Sequence, residues 1–301
     1  MKEIKIHEVG LRDGLQMEPE SIPTITKIQW AESLIDSGID ILQLGSFVNP
    51  KVLIQMADTD ELFEHFNQPE NKPKNTILSA LILNEKGLER AMKANVDMIC
   101  LGVSASETHS QKNTRMSVQQ ASEKIINIAK DAISAKKQVQ ASVQSAFGCG
   151  FEGDIPEENV YTIIDKYLNA GIKIISLADT AGYANPAKVE RMFSKIAQMD
   201  NNIELACHFH NTYGLGIANV YAAYKVGVKY IESAFGGLGG CPFTKVAAGN
   251  VSTEDILTMF QEMGIRKDIN IKKIKSVSLY AEGFLMKELP SYTYKNNGIK
   301  H

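Results

Sequence analysis

The feature that most constrains the fold is a regular alternation of short β-branched segments with longer amphipathic segments. The longer segments, such as TITKIQWAESLIDSG and SVQQASEKIINIAKDAISA, carry apolar residues at spacings of three and four, which is typical of helices. Strands that alternate with helices predict a parallel sheet. The predicted strands cover residues 4–7, 39–44, 76–81, 97–102, 138–144, 172–177, 203–209 and 229–234.

Eight such units fit the roughly 250 residues of a closed barrel, so we predict an α/β fold, a (β/α)₈ TIM barrel. We expect one domain over residues 1–301, with a C-terminal helical extension from about residue 263 that includes IKKIKSVSLYAEGFLMKEL. The alternative is an open, doubly wound sheet. Against it, no predicted strand is followed by GxGxxG, and polar residues follow many strands instead of one switch point.

Composition excludes several classes of protein. The net charge of -3 gives no reason to expect binding to nucleic acid or to a membrane surface, and no apolar run approaches a membrane span. The four cysteines are far apart and form no CxxC pair, which disfavours a zinc ribbon and fits a reducing, cytoplasmic location. Cys100 and Cys207 fall within predicted strands and are interpreted as structural, whereas Cys149 stays unassigned.

Polar residues with chemical potential follow or end the predicted strands. In a TIM barrel the catalytic groups lie at the C-terminal ends of the strands, so these residues are expected at one rim. They are Arg12 and Asp13 after the first strand, Gln43 in the second, Asp179 ending the sixth, His208 and His210 ending the seventh, and Cys241 and Asn250 after the eighth.

The HFH sequence at the end of the seventh strand predicts a metal site. Residues i and i+2 of a strand face the same way, so His208 and His210 point into the barrel mouth with Cα atoms roughly 6.5 Å apart. Two imidazoles and one carboxylate, here Asp13, form a facial ligand set that leaves positions open for substrate. The alternative is a pair of hydrogen-bonded histidines that holds a loop. Asn250 at the same rim favours the metal.

Two other rim residues each have a structural alternative. Arg12 beside Asp13 could form a surface ion pair, but the end of a strand followed at once by Gly14 favours a site. Cys241 could be a buried apolar residue, yet its glycine-rich surroundings, GGLGGCP, favour a reactive thiol on a loop.

Six motifs in order along nearly the whole chain resemble those of the 3-hydroxy-3-methylglutaryl-CoA lyase family, barrel metallolyases that use Claisen chemistry. They are EVGLRDGLQ, SFVNPKVLIQMAD, SASETHSQKN, SLADTAG, HFHNTYG and GGLGGCPF. The resemblance implies cleavage of a 3-hydroxy-3-methylglutaryl-CoA-like thioester to acetyl-CoA and acetoacetate. An acyl-CoA is the implied substrate and a homodimer the implied assembly, with no nucleic acid or membrane as partner.

The same resemblance implies residue roles. A divalent cation, Mg²⁺ or Mn²⁺, would be bound by Asp13, His208, His210 and Asn250. Arg12 would stabilise the enolate of the departing acyl-CoA, Cys241 would transfer a proton, and Asp179 would belong to the catalytic polar network. Lys51 and Lys112, in the matching loops, are candidates for contacts with the CoA phosphates.

The chain departs from the family pattern at three positions. Gln43 stands where the family usually has glutamate, Asn211 where many relatives have aspartate, and Leu11 where the lyases usually have proline. An amide cannot relay a proton as a carboxylate can, so Gln43 leaves two alternatives open. One is a related lyase or aldolase that takes a different, more anionic 3-hydroxyacyl substrate. The other is an inactive barrel that binds acyl-CoA or metal.

Overall fold

The computed structural model describes residues 4–240 and 249–296, and its centre is a closed barrel of eight parallel strands. Each strand pairs with the next along the chain, and the last pairs with the first. The strands are β1 (Lys5–Glu8), β2 (Ile41–Ser46), β3 (Ile77–Leu81), β4 (Met98–Ser104), β5 (Gln138–Gln144), β6 (Ile174–Asp179), β7 (Glu204–Phe209) and β8 (Tyr230–Ser233). The predicted TIM barrel is confirmed, and the observed strands coincide with the predicted segments apart from small shifts at their ends.

Helices cover the outside of the barrel between successive strands and continue past β8. They are α1 (Thr24–Asp36), α2 (Thr59–Asn67), α3 (Glu85–Lys93), α4 (Glu107–Thr114), α5 (Val118–Ser134), α6 (Glu157–Asn169), α7 (Pro186–Ile196), α8 (Gly216–Lys225), α9 (Thr253–Glu262) and α10 (Ile271–Leu285). Local sequence explains several ends. Asn185 caps α7 by accepting from the Lys188 amide, with Pro186 at the first helical position.

Two apolar layers meet at the barrel wall. On β7, Leu205, Cys207 and Phe209 point outward into the large core between strands and helices, as the alternation predicted. Ala206 points inward, where a small apolar cluster fills the barrel near the first residues of the strands. Above that cluster the barrel interior becomes polar, so the residues that can react lie at the opposite, C-terminal end.

The C-terminal helix packs against the first helix and against the segment after β8. The Trp30 ring of α1 meets the Phe284 ring of α10 edge to face, with centroids 6.0 Å apart. Ser278 of α10 donates to the buried carboxylate of Glu254 over 2.7 Å. The helical extension expected from the sequence is therefore present. Among the described helices, none combines the length and the apolar character that crossing a bilayer requires.

Candidate metal centre and active site

A single π-helical turn after β1 brings Arg12 and Asp13 to the barrel mouth. The amides of residues 12, 13 and 14 all donate to the carbonyl of Val9, and both side chains are buried. Gly10 is required at the start of the turn, because a Cβ there would lie 2.5 Å from the Phe235 ring. Turns of this kind occur frequently at functional sites.

The two histidines at the end of β7 lie side by side at the mouth. Their Nε2 atoms are 3.2 Å apart, and both side chains are buried. The segment that follows the β8 loop pairs with this end of β7: the amide of Asn211 donates to the carbonyl of Gly249 over 3.0 Å. An isolated bridge then sets Asn250 beside His210. Gly249 has no room for a side chain, since a Cβ would lie 2.4 Å from the Gly237 carbonyl oxygen.

Asp13, His208 and His210 form one ligand set, with one ligand atom from each lying within 4.8 Å of the others. The Asn250 amide group donates to Asp13 Oδ2 over 2.8 Å and to the Leu238 carbonyl over 3.0 Å, while its buried Oδ1 atom has no hydrogen-bond partner among the described residues. Buried polar atoms are normally paired, so this unpaired oxygen is suited to binding a ligand.

This arrangement fits a divalent cation. Two ligands held at right angles about 2.1 Å from such an ion lie roughly 3 Å apart, close to the separation of the two Nε2 atoms. The unpaired Asn250 oxygen supplies a fourth donor beside them. Carboxylate, amide and imidazole groups together form a ligand set suited to a divalent metal ion.

The electrostatics keep two of the three ligands in the form that binds metal. Burial alone would raise the pKa of Asp13, but the charges of Arg12, His208 and His210 outweigh it and lower that pKa. Burial, reinforced by His208, lowers the pKa of His210 to about 4, so its imidazole is neutral near pH 7. Burial opposes protonation of His208 as well, yet its hydrogen bond to Glu232 leaves that pKa raised. Binding of a cation to His208 therefore competes with protonation of this imidazole.

The Arg12 guanidinium is held from two sides. Its Nε donates to Gln43 Oε1 and its Nη1 donates to Asp13 Oδ1, while Gln16 also donates to that Asp13 oxygen over 3.0 Å. Gln43 is fully buried in β2. The guanidinium is thereby oriented before any substrate binds.

These groups open onto a cavity of about 420 Å³. Its polar lining includes Arg12, Asp13, Gln43, His208, His210 and Glu232. Apolar side chains from β3, β4 and the loops after β2 and β3 form one wall of the cavity, among them Val48, Val52, Leu53, Leu81, Leu83 and Leu101. A cavity with converging polar groups and an apolar wall is typical of a small-molecule site.

Comparison with known proteins then decides the family. The family model described as HMGL-like matches residues 3–280. The chain belongs to the HMGL-like family. It is 35% identical over 290 residues to hydroxymethylglutaryl-CoA lyase YngG of Bacillus subtilis, a match that covers 96% of both chains. It is also 33% identical to the 3-hydroxy-3-isohexenylglutaryl-CoA/hydroxymethylglutaryl-CoA lyase of Pseudomonas aeruginosa, over 90% of this chain and 89% of that one.

Solved structures agree with the family. The HMG-CoA lyase of Acinetobacter baumannii, in complex with coenzyme A and 3-methylmalate, superposes with a TM-score of 0.91 at 38% identity. The match covers 98% of this chain and 95% of that one. The resemblance inferred from the motifs is confirmed.

Of the predicted site residues that the structure describes, most converge, and Asp179 and the two lysines do not. Asp179 ends β6 but does not line the described cavity; its Oδ1 accepts from the amides of Tyr183 and Ala184, and burial raises its pKa to about 7. Cys241 lies outside the described residues. Lys51 and Lys112 are exposed and do not line the cavity.

Sequence reasoning missed a charged residue inside the barrel. Glu232, in the middle of β8, accepts a hydrogen bond from His208 Nδ1 over 2.9 Å. Burial would raise the pKa of Glu232, but this hydrogen bond and the neighbouring positive charges lower it to about 2. The signal was available: Glu232 lies two residues after Tyr230 on the inward face of a predicted strand. Strand interiors rarely hold an unpaired carboxylate.

Two further buried carboxylates hold the start of the β8 loop. Glu8 accepts from the amides of Gly10 and Phe235 over 2.7 and 3.0 Å, and Glu254 accepts from the amide of Gly236 over 3.0 Å. Gly236 adopts a φ of 64°, where glycine is favoured. The turn that carries Arg12 and the loop that leads to Asn250 are therefore tied to one another beneath the site.

Proposed function

We propose that this chain is a divalent-metal-dependent carbon–carbon lyase that cleaves 3-hydroxy-3-methylglutaryl-CoA to acetyl-CoA and acetoacetate. The observation that carries the proposal is the meeting of the three ligand atoms of Asp13, His208 and His210 in the same cavity as the oriented Arg12 guanidinium. The relatives in the HMGL-like family are named as hydroxymethylglutaryl-CoA lyases, which supports 3-hydroxy-3-methylglutaryl-CoA as the proposed substrate.

Mg²⁺ or Mn²⁺ is the proposed cofactor, held by Asp13, His208, His210 and the Asn250 Oδ1 atom. When bound, such an ion acts as a Lewis acid that lowers the pKa of the substrate hydroxyl. The residues themselves keep the ligand atoms close together and exclude bulk water, because all four side chains are buried.

Arg12 has the role of stabilising the charge that develops during bond cleavage. The hydroxyl at C3 loses its proton, the C2–C3 bond breaks, and C3 becomes the ketone of acetoacetate. The bonding electrons pass to C2 and the thioester oxygen as the enolate of acetyl-CoA. A guanidinium already fixed by Gln43 and Asp13 stabilises that oxygen more in the transition state than in the substrate.

One proton leaves the hydroxyl and one returns to C2, so the reaction consumes no net proton. We propose Cys241 as the donor to C2, since a thiol with a pKa near 8.5 can donate near neutrality. Asp179 is proposed to belong to the polar network around the site without contacting the substrate, because its carboxylate does not line the cavity. Its buried Oδ2 atom has no hydrogen-bond partner among the described residues.

The acyl-CoA would occupy the cavity with its acyl group beside Arg12. The complex of the Acinetobacter relative with coenzyme A supports this class of ligand. We also propose a homodimer and a cytoplasmic location. The free thiols of Cys100, Cys149 and Cys207 are compatible with a reducing compartment.

The test is a coupled assay of acetyl-CoA release from 3-hydroxy-3-methylglutaryl-CoA with the metal-stripped chain. We expect no turnover without metal and recovery with Mn²⁺ or Mg²⁺. Asp13→Asn should lower turnover at least roughly 10²-fold. The control is Glu204→Gln, a carboxylate at the other end of the barrel, which should leave turnover unchanged. Absence of turnover by a chain that demonstrably binds Mn²⁺ would overturn the proposal and favour a binding protein.

A further inference from the structure

Glu232 is surrounded by hydrogen-bond donors from three neighbouring strands. Its Oε2 atom lies 2.9 Å from His208 Nδ1, on β7. Its Oε1 atom accepts from Gln140 Nε2 of β5 over 2.6 Å and from Ser176 Oγ of β6 over 2.9 Å. The carboxylate is buried and directly beneath the ligand set. Both oxygens are occupied, so the group cannot rotate away without breaking hydrogen bonds to two or more strands.

The contact between Glu232 and His208 determines which imidazole nitrogen carries the proton. A carboxylate accepts hydrogen bonds, so the Nδ1 atom that faces it must be protonated. The lone pair of the neutral ring then lies on Nε2, the atom that faces Asp13 and His210. Carboxylates that hold metal-binding histidines in this way fix the tautomer and increase the basicity of the ligand nitrogen.

The two histidines differ in this respect. His210 Nδ1 is buried and has no hydrogen-bond partner in the described structure. Nothing equivalent to Glu232 therefore selects its tautomer within that part of the chain. Of the two imidazoles, His208 is the one that is oriented in advance.

We infer that Glu232, supported by Gln140 and Ser176, is a positioning residue that holds His208 in the tautomer and orientation required to bind the divalent cation. The inference rests on the proposed function for the presence of the cation. The inference goes beyond the proposed function by assigning a role to a residue outside the ligand set. A purely structural role for Glu232 would stabilise the barrel and leave the affinity for metal unchanged.

The first measurement is Mn²⁺ binding to the metal-stripped full chain by isothermal titration calorimetry. Glu232→Gln keeps an oxygen that can accept from His208 and removes the charge, and its new amide can donate to Gln140 Oε1, which has no partner in the described structure. Glu232→Met removes the acceptor as well. We expect the dissociation constant to rise roughly 10-fold for the first variant and roughly 100-fold for the second.

Three further variants separate positioning from loss of folding. Ser176→Ala removes one support with little change in volume and should raise the dissociation constant by less than Glu232→Gln does. Glu204→Gln replaces a glutamate by glutamine, as Glu232→Gln does, but at the opposite end of the barrel. It should leave the dissociation constant for Mn²⁺ unchanged. His208→Ala should abolish tight Mn²⁺ binding. Thermal unfolding of each metal-free variant shows whether it is folded.

The second measurement reads the tautomer without metal. In the ¹⁵N-histidine-labelled chain at alkaline pH, the ¹⁵N shifts of His208, assigned through the His208→Ala variant, should report a proton on Nδ1. Glu232→Met should shift the ring toward a mixture of tautomers. Equal Mn²⁺ affinity of wild type and Glu232→Met, or a wild-type His208 protonated on Nε2, would overturn the inference. A wild-type chain that binds no Mn²⁺ would instead overturn the proposed function, and the ¹⁵N measurement would still decide the inference.

Discussion

The two ends of the barrel both hold charged residues, and they use them differently. At the end where the strands begin, Glu204 accepts from Tyr230 over 2.6 Å and from Lys229, and Lys5 lies 5.8 Å from the centroid of the Tyr230 ring. Each carboxylate oxygen there has its own donor. At the mouth, Asn250 Oδ1 and His210 Nδ1 are buried without partners among the described residues. A cluster in which every polar atom has a hydrogen-bond partner stabilises the fold. A cluster with unpaired polar atoms can bind a ligand.

One arginine from each of these regions shows the same contrast. Arg266 binds Asp40, Asp268 and the carbonyl of Ile4, which ties the segment after α9 to the start of the barrel. Among the described side chains, Arg12 forms hydrogen bonds with Asp13 and Gln43. Asp13 is also a member of the metal ligand set. The positive charge of Arg12 is therefore available to a substrate, while that of Arg266 is balanced by protein carboxylates.

The largest expected effect comes from removing the mouth arginine. Arg12→Met should lower turnover of 3-hydroxy-3-methylglutaryl-CoA roughly 10³-fold, because an oriented donor to the developing oxyanion is lost. Mn²⁺ binding should persist. The matched control, Arg266→Met, should keep turnover and lose about 2 kcal/mol of unfolding free energy in denaturant titrations. Comparable turnover in the two variants would remove the distinction between the two ends.

Glu8, beneath the mouth, should make the wild type less stable as pH rises. Burial raises its pKa from 4.5 to about 8, so between these values the folded chain holds a proton that the unfolded chain has released. Stability from this group is thus complete below pH 4.5 and is lost as pH rises toward 8. Glutamine does not titrate. The stability of Glu8→Gln relative to wild type should therefore rise by up to roughly 1.4 kcal/mol per pH unit across that window.

Denaturant titrations of both proteins over a pH series measure this difference. The amide introduced by Glu8→Gln retains an oxygen that can accept from the Gly10 and Phe235 amides, so the variant is expected to fold. Stability curves for the two proteins that run parallel with pH would contradict the prediction.

Removing the hydrogen bond that orients Arg12 should have a smaller effect on turnover. Gln43→Met keeps the side-chain length and removes the oxygen that accepts from Arg12 Nε. We expect turnover to fall roughly 10-fold, since the guanidinium must then be ordered during the reaction, while Mn²⁺ affinity stays constant. The control is Gln55→Met, a glutamine outside the cavity that donates to the Glu18 carbonyl. An unchanged rate for Gln43→Met would mean that Asp13 alone orients Arg12.

The smallest effect is expected on the free energy of unfolding, at the end of the barrel where the strands begin. Its pH dependence has the opposite sign to that of Glu8. Burial would raise the pKa of Glu204, but the hydrogen bonds from Lys229 and Tyr230 outweigh it and lower that pKa. Its contribution to stability is therefore present above the ordinary pKa and is lost as pH falls. Glu204→Gln should cost about 0.2–1 kcal/mol at neutral pH, because the pair is partly exposed, and this cost should disappear in acid. Denaturant titrations at neutral and acid pH measure it, and a cost that grows in acid would count against the prediction.

Much of the site followed from the sequence because it depends on local periodicity. The i, i+2 alternation of β7 places His208 and His210 on one face. The order of strands in a closed barrel brings β8 beside β7 and β1 beside β8. Asp13 could be assigned to the same rim for that reason. Gly38 and Gly171 likewise follow the helical patterns of α1 and α6, and they adopt φ of 89° and 85°, where a glycine commonly ends a helix.

Other parts depend on contacts between residues far apart in the chain. Glu232 and Gln140 are 92 positions apart, and no local pattern shows that their side chains meet inside the barrel. Asp179 ends its strand as predicted, yet at that position its carboxylate binds the amides of its own turn.

The sequence by itself determined the order of strands and helices, the face on which each strand residue lies, and the rim at which the polar residues gather. These properties arise from periods of two and 3.6 residues along one chain. The tertiary structure alone decided which buried polar atoms have a hydrogen-bond partner and which remain unpaired. That depends on distances of a few ångströms between side chains from different strands, set only when the barrel closes.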